Sequence, residues 1–411
     1  MRVTRIWQRM LCVEDTIVDD VCLEADCVVV SVRPYKRRQH RCGVCGARCP
    51  RYDSGGGLRR WRALDLGPMR VFLESEAPRV RCADHGVVVA AVPWARHRAR
   101  CTRAFDDTAA WLATQCSKAA VSELTRISWR TVGRIVTRVV EEQGPQHSRL
   151  DGLRRIGIDE ISYRKGQRYL TVVIDHDTGD LVWAAPGANK AVVHDFFDLL
   201  GESGCRRVEL VSADAAAWIQ RVVEERCPDA QLCMDPFHVV QWATVALDEV
   251  RRDVWRNARS WGLTFQANSL KGARWALLKN ADDLTHIQRA TLAGLQQTNK
   301  PLYRAYLLKE QLRAVFQAPP DAAAELLESW LVWPRRCRIK PFVNIARTIT
   351  DQRDRIVAAI RHRLTNARAE GLNTRIRLIA RRAYGFHSPD ALIALAMLSL
   401  GGLTPALPGR S

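Results

Sequence analysis

Between residues 154 and 240 the chain alternates short β-branched runs with amphipathic segments in an order that few folds accept: strand, strand, strand, helix, strand, helix, strand, helix. The strands are read at 155–161, 169–174, 181–185, 208–212 and 231–234, with helices at 192–200 and 215–225 between the later ones. Asp177-Thr178-Gly179 is a tight-turn signal, so the first three strands are expected to form an antiparallel meander. A strand reached through a helix adds parallel to its neighbour, because the crossover returns the chain to the same end of the sheet.

Three meandering strands followed by αβαβα is the order of the ribonuclease-H-like fold, expected here as the first part of a catalytic core over 152–240. Residues 1–95 alternate β-branched runs with cysteine pairs and a glycine turn at 54–57, which reads as a small β-rich, zinc-binding module. Helical periodicity takes over within 100–145. From 241 to 364 the chain is helical and rich in Arg, Trp and Leu, and a last helix begins near Asn366. A compact core needs far less chain before its final helices, so 241–364 is expected to be an all-helical insertion and 365–400 the return to the core. The fold class is a multidomain α/β protein.

Lys and Arg number 63 against 44 Asp and Glu, a net charge of +19, which points to a polyanionic partner. No apolar run reaches the ~18 residues of a membrane span and no leader pattern is read at Met1, so a soluble, cytoplasmic, nucleoid-associated protein is expected. The 13 cysteines are odd in number and mostly sit in apolar runs, as reduced thiols do.

Two pairs stand apart. Cys42-Gly-Val-Cys45 and Cys82-Ala-Asp-His85 share one internal spacing and each is followed by glycine, a pattern that suits a closed tetrahedral zinc site. Cys49 is the alternative fourth ligand. No general base accompanies the cluster, so the zinc is read as structural, and its flanks (Arg33, Lys36, Arg37, Arg38, Arg41, then Arg59, Arg60 and Arg62) are basic. Downstream, 118–124 and 129–140 fit a helix-turn-helix with Ser128 capping the second helix. That recognition helix offers Arg130, Thr131, Arg134 and Arg138 to the major groove of double-stranded DNA. An ordinary amphipathic hairpin with a basic face is the plainer alternative.

Asp159 falls in the middle of the first strand and Asp214 at the end of the fourth; these strands are neighbours in this fold, so the two carboxylates would meet. Close carboxylates repel, and Mg²⁺ or Mn²⁺ resolves this while keeping room for water and phosphate. Glu370 is the favoured third acid, on a helix whose one face carries Glu370, Asn373, Arg377 and Arg381, while Leu372, Ile376, Ile379 and Ala383 form the apolar face. The amide and the two cations after Glu370 (Asn373, Arg377 and Arg381) are read as DNA contacts. Glu160 and Asp175 are weaker competitors. Asp235, three residues before His238, is read with it as bracing the site from behind its ligands or contacting DNA.

These motifs, with Gly157-Ile158-Asp159-Glu160, the run 235–240, Tyr306-Leu307-Leu308-Lys309-Glu310, and 366–373 running into 381–386, resemble the ISL3 family of bacterial insertion-sequence transposases over nearly the whole length. The resemblance implies a DDE enzyme with Asp159, Asp214 and Glu370 as its triad, holding two divalent metal ions. It implies binding to terminal inverted repeats, cleavage and strand transfer into target DNA, and a homo-oligomer, at least a dimer, on DNA. His85 departs from the four cysteines often seen in the family. The rival readings are a site-specific regulator derived from such an enzyme, without catalysis, and a structure-selective nuclease of the same fold.

Overall fold

The computed structural model describes residues 3–11, 13–144, 149–166, 168–213 and 216–410, so Asp214 lies outside the described residues. The chain divides into two compact units, Met1–Pro145 with Leu378–Ser411, and Gln146–Arg377.

In the first unit helix α1 (Val3–Met10) precedes β1 (Thr16–Leu23), β2 (Cys27–Pro34), β3 (Arg51–Asp53), β4 (Leu58–Leu66), β5 (Met69–Glu76), β6 (Arg79–Cys82) and β7 (Gly86–Val89). They make two sheets, ordered β1-β2-β5-β4 and β3-β6-β7. Val30, Val71, Leu73 and Trp61 bury one face of the larger sheet, and Trp94 meets Trp61 edge-on at 5.6 Å. Each such side chain contributes about 1.5–3 kcal/mol on burial.

Helices α2 (Arg103–Gln115), α3 (Lys118–Thr125) and α4 (Trp129–Gln143) follow. Each begins on a hydroxyl: Thr102 accepts from Phe105 N–H, Ser117 from Ala120 N–H, and Ser128, as its sequence position predicts, from Thr131 N–H. Arg126 takes left-handed backbone (φ 54°) to end α3 and turn the chain into α4. Val121, Val132, Ile135 and Val139 are the buried stripe.

The second unit opens with the predicted meander, β8 (Arg155–Arg164), β9 (Arg168–Asp175) and β10 (Leu181–Pro186), all antiparallel. Helix α5 (Lys190–Cys205) leads to β11 (Leu210–Ala213), and α6 (Ala217–Arg226) to β12 (Gln231–Met234). β11 pairs parallel with both β8 and β12, giving the order β10-β9-β8-β11-β12 of a ribonuclease-H-like sheet. Side chains alternate across a strand, so Ile156 and Ile158 point into the core with Phe196, Phe197, Ile219 and Val223, while Gly157 and Asp159 face the other way.

The long helix α7 (Pro236–Ser260) then starts a helical bundle with α8 (Thr264–Gly272), α9 (Arg274–Leu278), α10 (His286–Thr298), α11 (Lys300–Gln317), α12 (Pro320–Arg336) and α13 (Lys340–Asp351). Lys309, in the motif 306–310, is fully buried there; its Nζ donates to Leu277 O (2.7 Å) and Lys279 O (3.1 Å), completing the carbonyls that end α9. The next helix, α14 (Arg353–Arg361), does not stay in the bundle alone: Ala358 and Ala359 pack with Leu210 and Cys233 of β11 and β12. Helix α15 (Ala367–Arg382) follows, and α16 (Pro389–Leu400) packs on α2 and α4. The contacts therefore divide the span 365–400 at Leu378 between the two units.

Candidate functional site

Four zinc-type ligand atoms converge in the first unit. Those of Cys42, Cys45, Cys82 and His85 lie within 4.8 Å of one another. Cys45 Sγ is 3.7 Å from Cys82 Sγ, and His85 Nδ1 is 3.5 Å from Cys82 Sγ and 3.9 Å from Cys42 Sγ. A tetrahedral ion with Zn–S bonds of about 2.3 Å sets its sulfurs about 3.8 Å apart, so these residues fit zinc. Gly46 and Gly86, at φ 72° and 65°, make the two tight turns, and the His85 ring with backbone N–H groups holds the Cys82 thiol down to about 6. Cys49 is buried beside them, its Sγ directed to Ala47 O (3.4 Å), and is not among the four.

On the face of the second unit's sheet that carries Asp159, polar groups are stacked from the inside outward. His176 Nε2 is 2.7 Å from Ser212 Oγ, and Ser212 donates to Asn366 Oδ1 at 3.0 Å. Burial, with Arg368 nearby, pushes the His176 pKa down to about 4, so the ring is neutral at pH 7. Gly157 leaves the room: a Cβ there would lie 2.8 Å from His176 Nε2 and 3.1 Å from Ser212 Oγ. Asn366 N–H in turn donates to Asp235 Oδ1 at 3.3 Å. One chain of contacts thus runs from β9 through β11 to the start of α15 and the end of β12.

Asp235 is 2 % exposed and caps α7, accepting from Phe237 N–H. One turn into α7, His238 is half-buried, and Glu370 on the first turn of α15 is exposed; ligand atoms of Asp235, His238 and Glu370 lie within 4.8 Å of one another. Asp159 is 8 % exposed, and its Oδ2 accepts from Asn373 Nδ2 at 2.7 Å. The helical face read as Glu370, Asn373, Arg377 and Arg381 is therefore split. Asn373 is 3 % exposed and holds an acid rather than reaching outward to DNA, while Arg377 and Arg381 are exposed. Asp214 follows Ala213, which pairs with Ile158 beside Asp159 in register, but itself lies outside the described residues.

In the helix-turn-helix, Arg130 and Arg134 are exposed. The Thr131 hydroxyl is 2.9 Å from Ser128 Oγ at the cap. Arg138 is differently placed: it donates to the fully buried Asp106 at 2.8 Å, where Arg96 also approaches at 3.7 Å, so its guanidinium joins α4 to α2.

His176, Ser212, Asn366 and Gly157 escaped the sequence reading as site residues. Gly157 and Asn366 stood only as members of motifs, and the signal of the other two was polarity: a serine within Leu-Val-Ser-Ala and a histidine ending Val-Val-Ile-Asp-His, both in otherwise apolar strands.

A ribonuclease-H-like sheet with acids gathered on one face, joined in one chain to a zinc cluster and a helix-turn-helix, defines a DDE transposase. Residues 156–396 match the family model described as transposase, 90–140 the helix-turn-helix domain of transposase family ISL3, and 38–85 the zinc-finger of transposase IS204/IS1001/IS1096/IS1165. The chain belongs to the ISL3 family of insertion-sequence transposases. It is 52 % identical to the transposase for insertion sequence element IS1557 of two Mycobacterium tuberculosis strains, over 100 % of this chain and 98 % of theirs. It is 29 % identical to the transposase for insertion sequence element IS1001 of Bordetella parapertussis, over 85 % of this chain and 86 % of that one. Membership implies catalytic transposition, DNA binding and divalent metals. Among the described residues no helix is long and apolar enough to cross a membrane.

Proposed function

We propose that this chain binds the terminal inverted repeats of an insertion sequence, hydrolyses a phosphodiester at each end, and joins the freed 3′-hydroxyl to target DNA. The observation that carries the reading is the convergence of α15 on the sheet, where Asn373 meets Asp159 and Glu370 meets Asp235. In this reading Asp159, Asp214 and Glu370 hold two Mg²⁺ or Mn²⁺ ions. Oxygen donors from carboxylates suit these hard cations. Bound there, the cations supply activation of the attacking oxygen and stabilisation of the leaving one.

The protein's own groups do the rest. Asn373 fixes the orientation of the Asp159 carboxylate by binding one of its oxygens, and Asn366 does the same for Asp235 through its backbone N–H. His176, kept neutral, completes the buried polar row without adding a positive charge beside the acids. Arg377, Arg381 and the arginine-rich insertion neutralise phosphates, so binding weakens as salt rises. Zinc at Cys42, Cys45, Cys82 and His85 keeps its module folded for end recognition. Arg130 and Arg134 read bases, and at least two copies act together on DNA.

The clustering of Asp235 and His238 with Glu370 favours one variation, in which Asp235 is itself a cation ligand and His238 faces the reacting DNA. The test of the whole reading is nicking of an element-end duplex by the full chain with and without Mg²⁺. Metal-dependent nicking at the end is expected; specific binding with no nicking in either Mg²⁺ or Mn²⁺ would leave only a DNA-binding regulator.

A further inference from the structure

At the end of α15, Tyr384 adopts left-handed backbone (φ 53°) with its side chain 97 % exposed. Its N–H reaches Arg381 O at 3.0 Å and Gly385 N–H reaches Ala380 O at 2.9 Å, so Tyr384 occupies the helix-ending position that suits glycine or asparagine. A bulky residue there strains the backbone, and this one packs against almost nothing in return.

Beside it opens a cavity of about 870 Å³, walled by the first turns of α3 and α4 and by the α15–α16 turn, all within the first unit. Its walls alternate π faces with cations. Trp129, itself 48 % exposed, stacks on His387 (centroids 5.8 Å apart, planes at 30°). The Arg130 guanidinium lies 5.5 Å over the Trp129 ring and Lys118 Nζ 5.0 Å over Phe386. Glu123 is the one acid on the wall. Such a surface takes a flat aromatic ring carrying negative charge nearby, and stacking of this kind tolerates any base because every base has a π face. The first residues of the recognition helix, Trp129 and Arg130, stand on this wall, so a nucleotide leaving a duplex held by α4 needs no long excursion to enter.

We infer that this cavity binds one unstacked nucleobase of the bound DNA, between Tyr384 and Trp129, with Lys118 neutralising the adjoining phosphate. The inference rests on the DNA-binding reading above. A second copy of this chain is the less suitable occupant, because each copy carries a net charge of +19 and the walls are cationic.

The test is fluorescence anisotropy with the full-length protein and two labelled probes, a blunt DNA duplex and the same duplex with a short unpaired thymine tract at one end. Wild type is expected to favour the second by about tenfold, in line with base stacking on aromatic side chains. Tyr384→Ala should abolish that preference with blunt-duplex affinity unchanged, and Tyr384→Phe should keep it. Tyr384→Gly should abolish it and yet raise Tm, since glycine fits the left-handed position. Equal wild-type affinity for both probes, or equal loss on both in Tyr384→Ala, would overturn the cavity's role. Loss of self-association in Tyr384→Ala with preference intact would assign the surface to a second copy and overturn it also. Wild type that binds neither duplex would instead bring down the DNA-binding reading beneath it.

Discussion

Asn373 donates its amide N–H to the carboxylate of Asp159 across 2.7 Å, joining the last helix of the core to its first strand over a sequence separation of 214 residues. The contact couples the helix that follows the helical bundle to the geometry of the site. Until α15 docks, Asp159 lacks this partner; once it docks, Glu370 arrives in the same movement, one turn earlier on the helix.

Replacing Asn373 should therefore weaken catalysis without touching recognition. Asn373→Ala is expected to lower cleavage or cation affinity by about 10–100-fold, the usual effect of losing a group that orients a metal ligand. Asn373→Asp should be worse, because it sets a second carboxylate against Asp159. Cleavage titrated against Mg²⁺ measures both, with end binding as the control. Wild-type cation dependence in both variants would mean that the hydrogen bond orients nothing.

Zinc removal should act on the other unit. Metal analysis of the purified chain is expected to find about one zinc per chain, and Cys82→Ala to release it and unfold β3, β6 and β7. DNA binding should fall with the metal. Folded protein with no zinc would refute the site.

Asp106 gives the helix-turn-helix a pH dependence. Burial raises its pKa from 3.8 to about 6 despite the opposing pull of Arg138 and Arg96. A carboxyl raised on folding contributes stability that is fully present below the unfolded value and lost as pH rises through the folded one. Thermal melting of wild type and Asp106→Asn between pH 3.5 and pH 7 should show wild type losing roughly 2 kcal/mol relative to the variant across that window. Wild type gaining on the variant over the same range would mean that the arginines outweigh burial and hold the group charged.

The sheet was legible in the sequence because period-two runs, a turn signal and crossover helices leave one order open, and the Ser128 cap because a hydroxyl preceding an amphipathic run has one common use. Asn373 and Arg138 have protein partners that the sequence did not show, for a shared reason. Helical spacing groups residues by face but does not say what the face meets, and here Asn373 turns toward β8 and Arg138 toward α2. Helix α16 went unread as a partner of α2 and α4 since it is apolar nearly all round and offers no stripe to orient it. Asp235 is read from sequence as a brace of the site, but its capping of α7 and its contact with Asn366 join segments 131 residues apart, which no local pattern can signal.

The central claim is that Glu370 completes the triad with Asp159 and Asp214, and comparative cleavage of an element-end duplex tests it most directly. Asp159→Asn, Asp214→Asn and Glu370→Gln should each abolish cleavage while end binding stays near wild type, because the zinc module and helix-turn-helix carry recognition. Asp235→Asn is expected to reduce it, and changes at the insertion acids Glu310, Glu325 and Glu328 to leave the site's chemistry in place in folded protein. Wild-type cleavage by Glu370→Gln, with loss on changing one of those three, would contradict the account and move the third acid into the insertion.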